Sequence, residues 1–122
     1  MLRLMKERSD LNVVSDQFGS PTYAKDIAET IMQIITQSAT NFQSGIYHFS
    51  NDAHINWYEF ATAIKDMRHL DCNVHAIPTS QYPTPAKRPA YSVMNKEKIQ
   101  STFHIQLKPW KESLQECLEE IQ

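Results

Sequence analysis

The sequence has 122 residues, 41% of them hydrophobic, which suits one compact domain or part of a larger one. Its 12 basic and 14 acidic residues are spread along the chain for a formal charge of -2, so it lacks the basic stripe that a nucleic-acid partner needs. Cys72 and Cys117 make neither a CxxC pair nor a disulfide framework, no signal-peptide core opens the chain, and no window nears the roughly 18 apolar residues of a membrane span; a soluble, cytoplasmic protein with reduced thiols is expected.

The first element, Leu2–Glu7, reads as the tail of a helix, because Leu2 and Met5 enter without a preceding cap. A short strand over Asn12, Val13 and Val14 follows, then a loop marked by Gly19 and Pro21, with Thr22 placed to cap the next helix. From Ala24 to about Gln37, the residues Ile27, Ile31, Ile34 and Ile35 share one helical face, which is predicted to be buried. The alternation in Gly45-Ile46-Tyr47-His48-Phe49 predicts a strand, closed by a polar turn at Ser50-Asn51-Asp52.

Asn56 with Glu59 three residues on is a variant of the capping box and starts a helix. Trp57, Phe60, Ala61, Ile64 and Met67 recur at helical spacing, which favours core packing over a ligand-stacking platform for the two aromatic residues. Val74 to Ile77 reads as a strand. The segment 78–89 carries Pro78, Pro83, Pro85 and Pro89, so it is extended and is not a central strand. Asn95 caps a short helix to about Ser101, and Pro109 opens a last helix with Trp110, Leu114, Cys117, Leu118 and Ile121 on one face. No repeat, low-complexity tract or internal boundary is visible.

With Gly19 and Gly45 as its two glycines, the sequence has neither a GxGxxG nor a Walker loop, hence no cradle for a dinucleotide pyrophosphate. No tyrosine is followed four residues later by lysine, the pair that donates a proton in short-chain reductases: Tyr23, Tyr47, Tyr58, Tyr82 and Tyr91 meet Ile27, Asn51, Thr62, Ala86 and Asn95. The spacings of His48, His54, His69, His75 and His104 match no zinc pattern, and Ser20, Ser50 and Ser80 lack a nucleophile elbow. Glu112, Glu116, Glu119 and Glu120 read as a solvated helix face rather than a cation site. Arg88, between Lys87 and Pro89, has two readings of equal weight: a guanidinium pre-set to grip a phosphate, or a loop charge that keeps the surface soluble.

Four segments taken in order, VVSDQFGSPTYAKDIA, GIYHFSNDAHINWYEFA, IPTSQYPTPAKRPAYSVMNKEKI and LKPWKESLQECL, resemble the C-terminal portion of dTDP-4-dehydrorhamnose reductases, in the extended short-chain dehydrogenase/reductase group. They cover nearly the whole chain, and the pairing of DQFGSPTY with YPTPAKRPAYS is the specific part. The resemblance implies an α/β fold: a small mixed helix-strand C-terminal lobe of a Rossmann-type reductase over residues 1–122, with the Rossmann domain itself absent. It implies a part in reducing dTDP-4-dehydro-L-rhamnose to dTDP-L-rhamnose, with NADPH or NADH held by the missing domain and no catalytic residue in this chain.

By the same resemblance, Gln17, Phe18, Gly19, Ser20, Pro21 and Thr22 should face the sugar-nucleotide cleft, and Arg88, Pro89, Tyr91 and Ser92 should border it. Some members hold Mg2+ between carboxylates near the final helix; Glu120 falls in a comparable place, but Lys25 stands where a second carboxylate is expected. The implied partners are the dTDP-sugar and the missing Rossmann domain, with a homo-oligomer as a further way to cover apolar surface. A rival reading is a non-catalytic regulatory module, because the regulatory β subunit of methionine adenosyltransferase resembles the same reductases.

Overall fold

A computed structural model describes residues 1–37 and 43–121. The chain forms two compact units, Met1–Gly19 with His54–Val93 (unit 1) and Ser20–Ala53 with Met94–Gln122 (unit 2). Each unit is assembled from two separate stretches of sequence, so no shift in composition along the chain marks the division.

Unit 1 is built on a parallel pair of strands, β1 (Asp10–Val14) and β4 (Asn73–Ile77), in the register Leu11 to Val74 and Val13 to Ala76. Parallel strands need a long crossover, and the connection from β1 to β4 includes α3 (Trp57–Met67), which packs on both strands. Helix α1 (Leu2–Glu7) packs on α3 and β1. The buried apolar residues Met5, Leu11, Val13, Val14, Ala61, Ile64 and Cys72 form the core of this unit. A second, antiparallel pair joins β2 (Phe18–Gly19) to β3 (Ile55–Asn56).

The start of α3 follows the sequence closely. Asn56 Oδ1 accepts the Glu59 backbone N–H at 2.9 Å, and the Glu59 carboxylate accepts the Asn56 N–H at 2.9 Å, which completes the capping box. Ala61 and Ile64 are buried as expected, but Trp57 is 47% exposed. It occupies the first helical position, where a side chain leans toward the helix N-terminus rather than over a preceding turn.

Unit 2 contains α2 (Ala24–Gln37), α4 (Glu97–Phe103) and α5 (Trp110–Glu120). Ile99, Phe103 and Ile105 form an apolar cluster against which Ile34, Tyr47, Phe49 and Leu107 pack, and Leu114 and Leu118 are buried from α5. The expected strand at 45–49 does not form among the described residues. Tyr47 and Phe49 do turn to the cluster while Ile46 is 80% exposed, so the alternation records burial without a partner to make a ladder.

The apolar face of α2 is not buried as predicted: Ile27, Ile31 and Ile35 are 38%, 50% and 57% exposed. The helix is turned by about one residue, so that Asp26, Thr30 and Ile34, four apart, face inward. A buried polar network takes up that turn. Asp26 Oδ2 accepts hydrogen bonds from Asn51 Nδ2 and Ser113 Oγ, both at 2.5 Å, while Asn51 Oδ1 accepts the Tyr23 N–H at 2.8 Å. Of the polar turn expected at Ser50-Asn51-Asp52, Ser50 and Asn51 are therefore 2% and 1% exposed, and Asp52 is exposed.

Thr22 does not act as the cap of α2: its hydroxyl donates to the Ser20 carbonyl at 3.4 Å, and the Tyr23 carbonyl takes the Ile27 N–H. At α4, Asn95 Oδ1 accepts the Glu97 N–H at 2.7 Å, one residue earlier than a side-chain cap on Lys96 would lie. Two of the histidines have a backbone role, since His69 and His104 hold positive φ of 50° and 53° after α3 and α4.

Candidate functional site

The site residues expected from the sequence fall in both units, and each set is described within its own. In unit 1, the chain leaving β1 is tied to the chain leaving β4. Ser15 N–H donates to the Ile77 carbonyl at 2.9 Å, and Asp16 accepts the Thr79 N–H and, at 2.6 Å, its hydroxyl. These bonds, the Thr79 hydroxyl first, hold the Asp16 carboxyl below its ordinary range. Gln17 Nε2 then donates to Thr79 Oγ1 at 3.0 Å, which fixes the first of the expected site residues.

Phe18, Tyr91 and Ser92 are brought together by backbone bonds. Phe18 N–H donates to the Ala90 carbonyl at 2.8 Å, and the Phe18 carbonyl accepts the Ser92 N–H at 2.9 Å and its hydroxyl at 3.0 Å. The His54 ring meets the Phe18 and Tyr91 rings edge-on, each at 5.4 Å between centroids. A Cβ added to Gly19 would lie 3.0 Å from Ser92 Oγ, so the close approach of the two segments favours glycine there.

Beside β1 lies a hollow of about 360 Å³ whose lining includes Leu11, Val13, Gln17, Trp57, Tyr82 and Arg88. Its wall thus combines apolar strand residues, two aromatic rings and one guanidinium. Arg88 and Pro89 are exposed, and among the described residues Arg88 has no carboxylate partner. Tyr82 and Tyr91 are 54% and 60% exposed. Trp57 and Tyr82 are absent from the site expected from sequence; the available signal was the position of Trp57 directly after the cap, where the core-facing stripe has only begun.

In unit 2, Ser20 Oγ donates to the Ala53 carbonyl at 2.6 Å, Pro21 is half-buried and Thr22 is exposed. On the exposed end of α5, the two oxygens of Glu120 are occupied by the Tyr23 hydroxyl at 2.7 Å and by Lys25 Nζ at 3.4 Å. The Glu120 bond pushes the Tyr23 phenol up to about 12, and the Tyr23 bond followed by Lys25 lowers Glu120. This donor set does not fit a divalent cation, because an ammonium takes the place where a second carboxylate would have to stand. No group of three or more His, Cys, Asp or Glu among the described residues is arranged to hold a metal. No helix among them is long and apolar enough to cross a membrane.

The family model described as RmlD substrate binding domain matches residues 1–122. Among curated proteins, the spore coat polysaccharide biosynthesis protein SpsK of Bacillus subtilis is 41% identical over 120 residues, covering 98% of this chain and 40% of that protein. A dTDP-4-dehydrorhamnose reductase of Aggregatibacter actinomycetemcomitans is 43% identical over 123 residues, covering 93% of this chain and 42% of the relative. Among solved structures, a dTDP-4-dehydrorhamnose reductase of Bacillus anthracis in complex with NADP superposes with a TM-score of 0.88 at 34% identity, over 98% of this chain and 41% of that one. The Clostridium acetobutylicum reductase also gives 0.88, at 33% identity, over 97% of this chain and 41% of that chain. The chain therefore spans about two fifths of the length of these relatives.

Proposed function

Because this chain belongs to the RmlD substrate binding domain family, we propose that it supplies the sugar-nucleotide-binding part of an NAD(P)H-dependent reductase converting dTDP-4-dehydro-L-rhamnose to dTDP-L-rhamnose. The observation that carries this reading is Arg88: an exposed guanidinium without a carboxylate partner among the described residues, at a hollow walled by apolar and aromatic groups. A planar fork of donors suits a diphosphate, and apolar and aromatic groups beside it suit the rest of a small organic ligand.

In this reading, the nicotinamide, bound by the Rossmann domain of the complete enzyme, supplies the hydride. The residues of this chain bind and orient the other reactant. Arg88 neutralises the diphosphate, while Pro89 restricts the segment that presents it. Gln17, fixed through Thr79, and Tyr91 and Ser92, fixed through Phe18, offer polar groups to ribose and sugar hydroxyls. Gly19 permits the close approach of these segments. Ser20, Pro21 and Thr22 enter on the sequence resemblance alone. Holding the keto sugar in one pose lowers the entropic part of the barrier without this chain taking part in proton or hydride transfer.

The exposed stripe Ile27, Ile31, Met32 and Ile35 on α2 supports a further protein surface against this chain, the Rossmann domain or a second copy. No observation favours the regulatory-module reading. A hybrid tests the proposal: this chain replaces the matching 42% of the Aggregatibacter reductase, and oxidation of NADPH is followed with dTDP-4-dehydro-L-rhamnose. Substrate-dependent turnover is expected; a folded hybrid that binds NADPH but never turns over the sugar nucleotide would reject it.

A further inference from the structure

We propose that Trp57 is the base-stacking residue of the sugar-nucleotide site, with the thymine ring in the hollow of unit 1 and the diphosphate on Arg88. This deepens the reading of the chain as a dTDP-sugar-binding part and rests on it. Trp57 is 47% exposed although it stands on the same helical stripe as the fully buried Ala61, so its indole is held out of the core at the edge of the hollow. It is not loosely held there. The capping box fixes the backbone of the preceding residue, and the Phe60 ring meets the indole edge-on at 6.4 Å between centroids.

The chemistry of the hollow selects among possible occupants. Leu11 and Val13 offer an apolar wall and Trp57 and Tyr82 offer π faces, which suit a flat ring more than a hydroxyl-rich sugar. Arg88 adds a cation without an internal partner among the described residues, which asks for an anion joined to that ring. At about 360 Å³ the hollow lies at the lower end of small-ligand pockets, the size class of one nucleotide rather than of a dinucleotide. A thymidine diphosphate moiety meets all of these conditions.

The sequence has two tryptophans, and the other, Trp110, lies in unit 2, so Trp110→Phe leaves Trp57 as the single indole reporter. Fluorescence titrations with thymidine, dTDP and inorganic pyrophosphate then separate the ring from the charge. Thymidine and dTDP should quench Trp57; by calorimetry, which needs no indole reporter, Trp57→Leu should weaken both by about tenfold, the effect of losing one stacked base. Arg88→Ala should weaken dTDP and pyrophosphate by about tenfold or more and leave thymidine unchanged. Trp57→Phe keeps a π face and should bind dTDP within about threefold of the wild type; should the Leu variant fold poorly, the Trp110→Phe chain decides, since saturable dTDP binding that leaves Trp57 fluorescence unchanged would remove the indole from the site.

Two results would overturn the inference in distinguishable ways. Calorimetric dTDP binding as tight in a folded Trp57→Leu chain as in the wild type removes Trp57 from the site but leaves the dTDP-sugar reading intact, and marks the indole as a contact for another protein surface. Failure of the wild-type chain to bind dTDP at all removes that reading together with the inference.

Discussion

The two units place their polar side chains in opposite ways. In unit 2, Asp26, Asn51 and Ser113 are almost fully buried, and they bond to one another and to backbone groups. In unit 1, Arg88, Tyr82 and Tyr91 are left exposed around segments tied down by backbone bonds. Buried polar groups must be satisfied or they cost the fold heavily, whereas exposed ones held in place are free to serve a ligand. Under the proposed function the first set serves stability and the second binding, and each role can be broken separately.

The largest effect belongs to the buried set. Asn51→Ala would strip one hydrogen bond from the Asp26 carboxylate and the acceptor from the Tyr23 N–H. Stability should fall by about 3 kcal/mol, as expected when buried polar groups lose their partners. Chemical denaturation would measure it; a loss under about 1 kcal/mol would mean that water or relaxation replaces the network.

Arg88→Ala should behave in the reverse manner. Affinity for dTDP should drop by about 1.5 to 3 kcal/mol, or roughly tenfold to a hundredfold, while stability stays within about 0.5 kcal/mol of the wild type. A melting temperature that falls along with the affinity would move Arg88 into the structural set. Asn56→Ala, which removes the cap of α3, should cost about 1 kcal/mol and leave unit 2 unperturbed. Hydrogen exchange resolved by segment would show whether the loss stays in unit 1.

The smallest effect is in the pH response of the tie between the β1 and β4 ends. The Asp16 carboxyl is lowered in the folded chain by bonds from Thr79, so the folded state favours its ionised form. The contribution is present above the ordinary aspartate range and is lost as pH falls through the depressed folded value. Thr79→Val should return Asp16 toward its usual value, as carbon-detected NMR titration of the carboxyl would reveal; no change on that substitution would discard the tie.

Local signals in the sequence carried much of this fold. Asn56 and Glu59 announce the start of α3, because both partners of a capping box lie within one turn, and the spacing of Leu114 and Leu118 gives the buried side of α5. Pairings that depend on distant residues were not legible. Nothing near Gly45 to Phe49 tells that no strand lies beside it among the described residues, and nothing near Ile27 tells that Asp26 is drawn inward by Asn51 and Ser113. Ser50 and Asn51 read as a turn because polar residues usually meet solvent, and only the network explains their burial.

The candidate site divides along the same line. Arg88 is visible from its chemistry between Lys87 and Pro89, though with two readings, whereas the helical stripe places Trp57 in the core and does not reveal that its first member is 47% exposed. Tyr82 carried no periodic signal at all. The glycine count and the lack of a Tyr-x-x-x-Lys pair were legible without any structure, because each is a property of the sequence alone.

The central claim, that this chain holds the sugar nucleotide and leaves the cofactor to another domain, is tested most directly by isothermal titration of the purified chain with dTDP-L-rhamnose and, separately, with NADPH. Saturable binding of the sugar nucleotide with no heat of binding from NADPH is the result expected. Saturable NADPH binding, or no binding of dTDP-L-rhamnose by the folded chain, would contradict it.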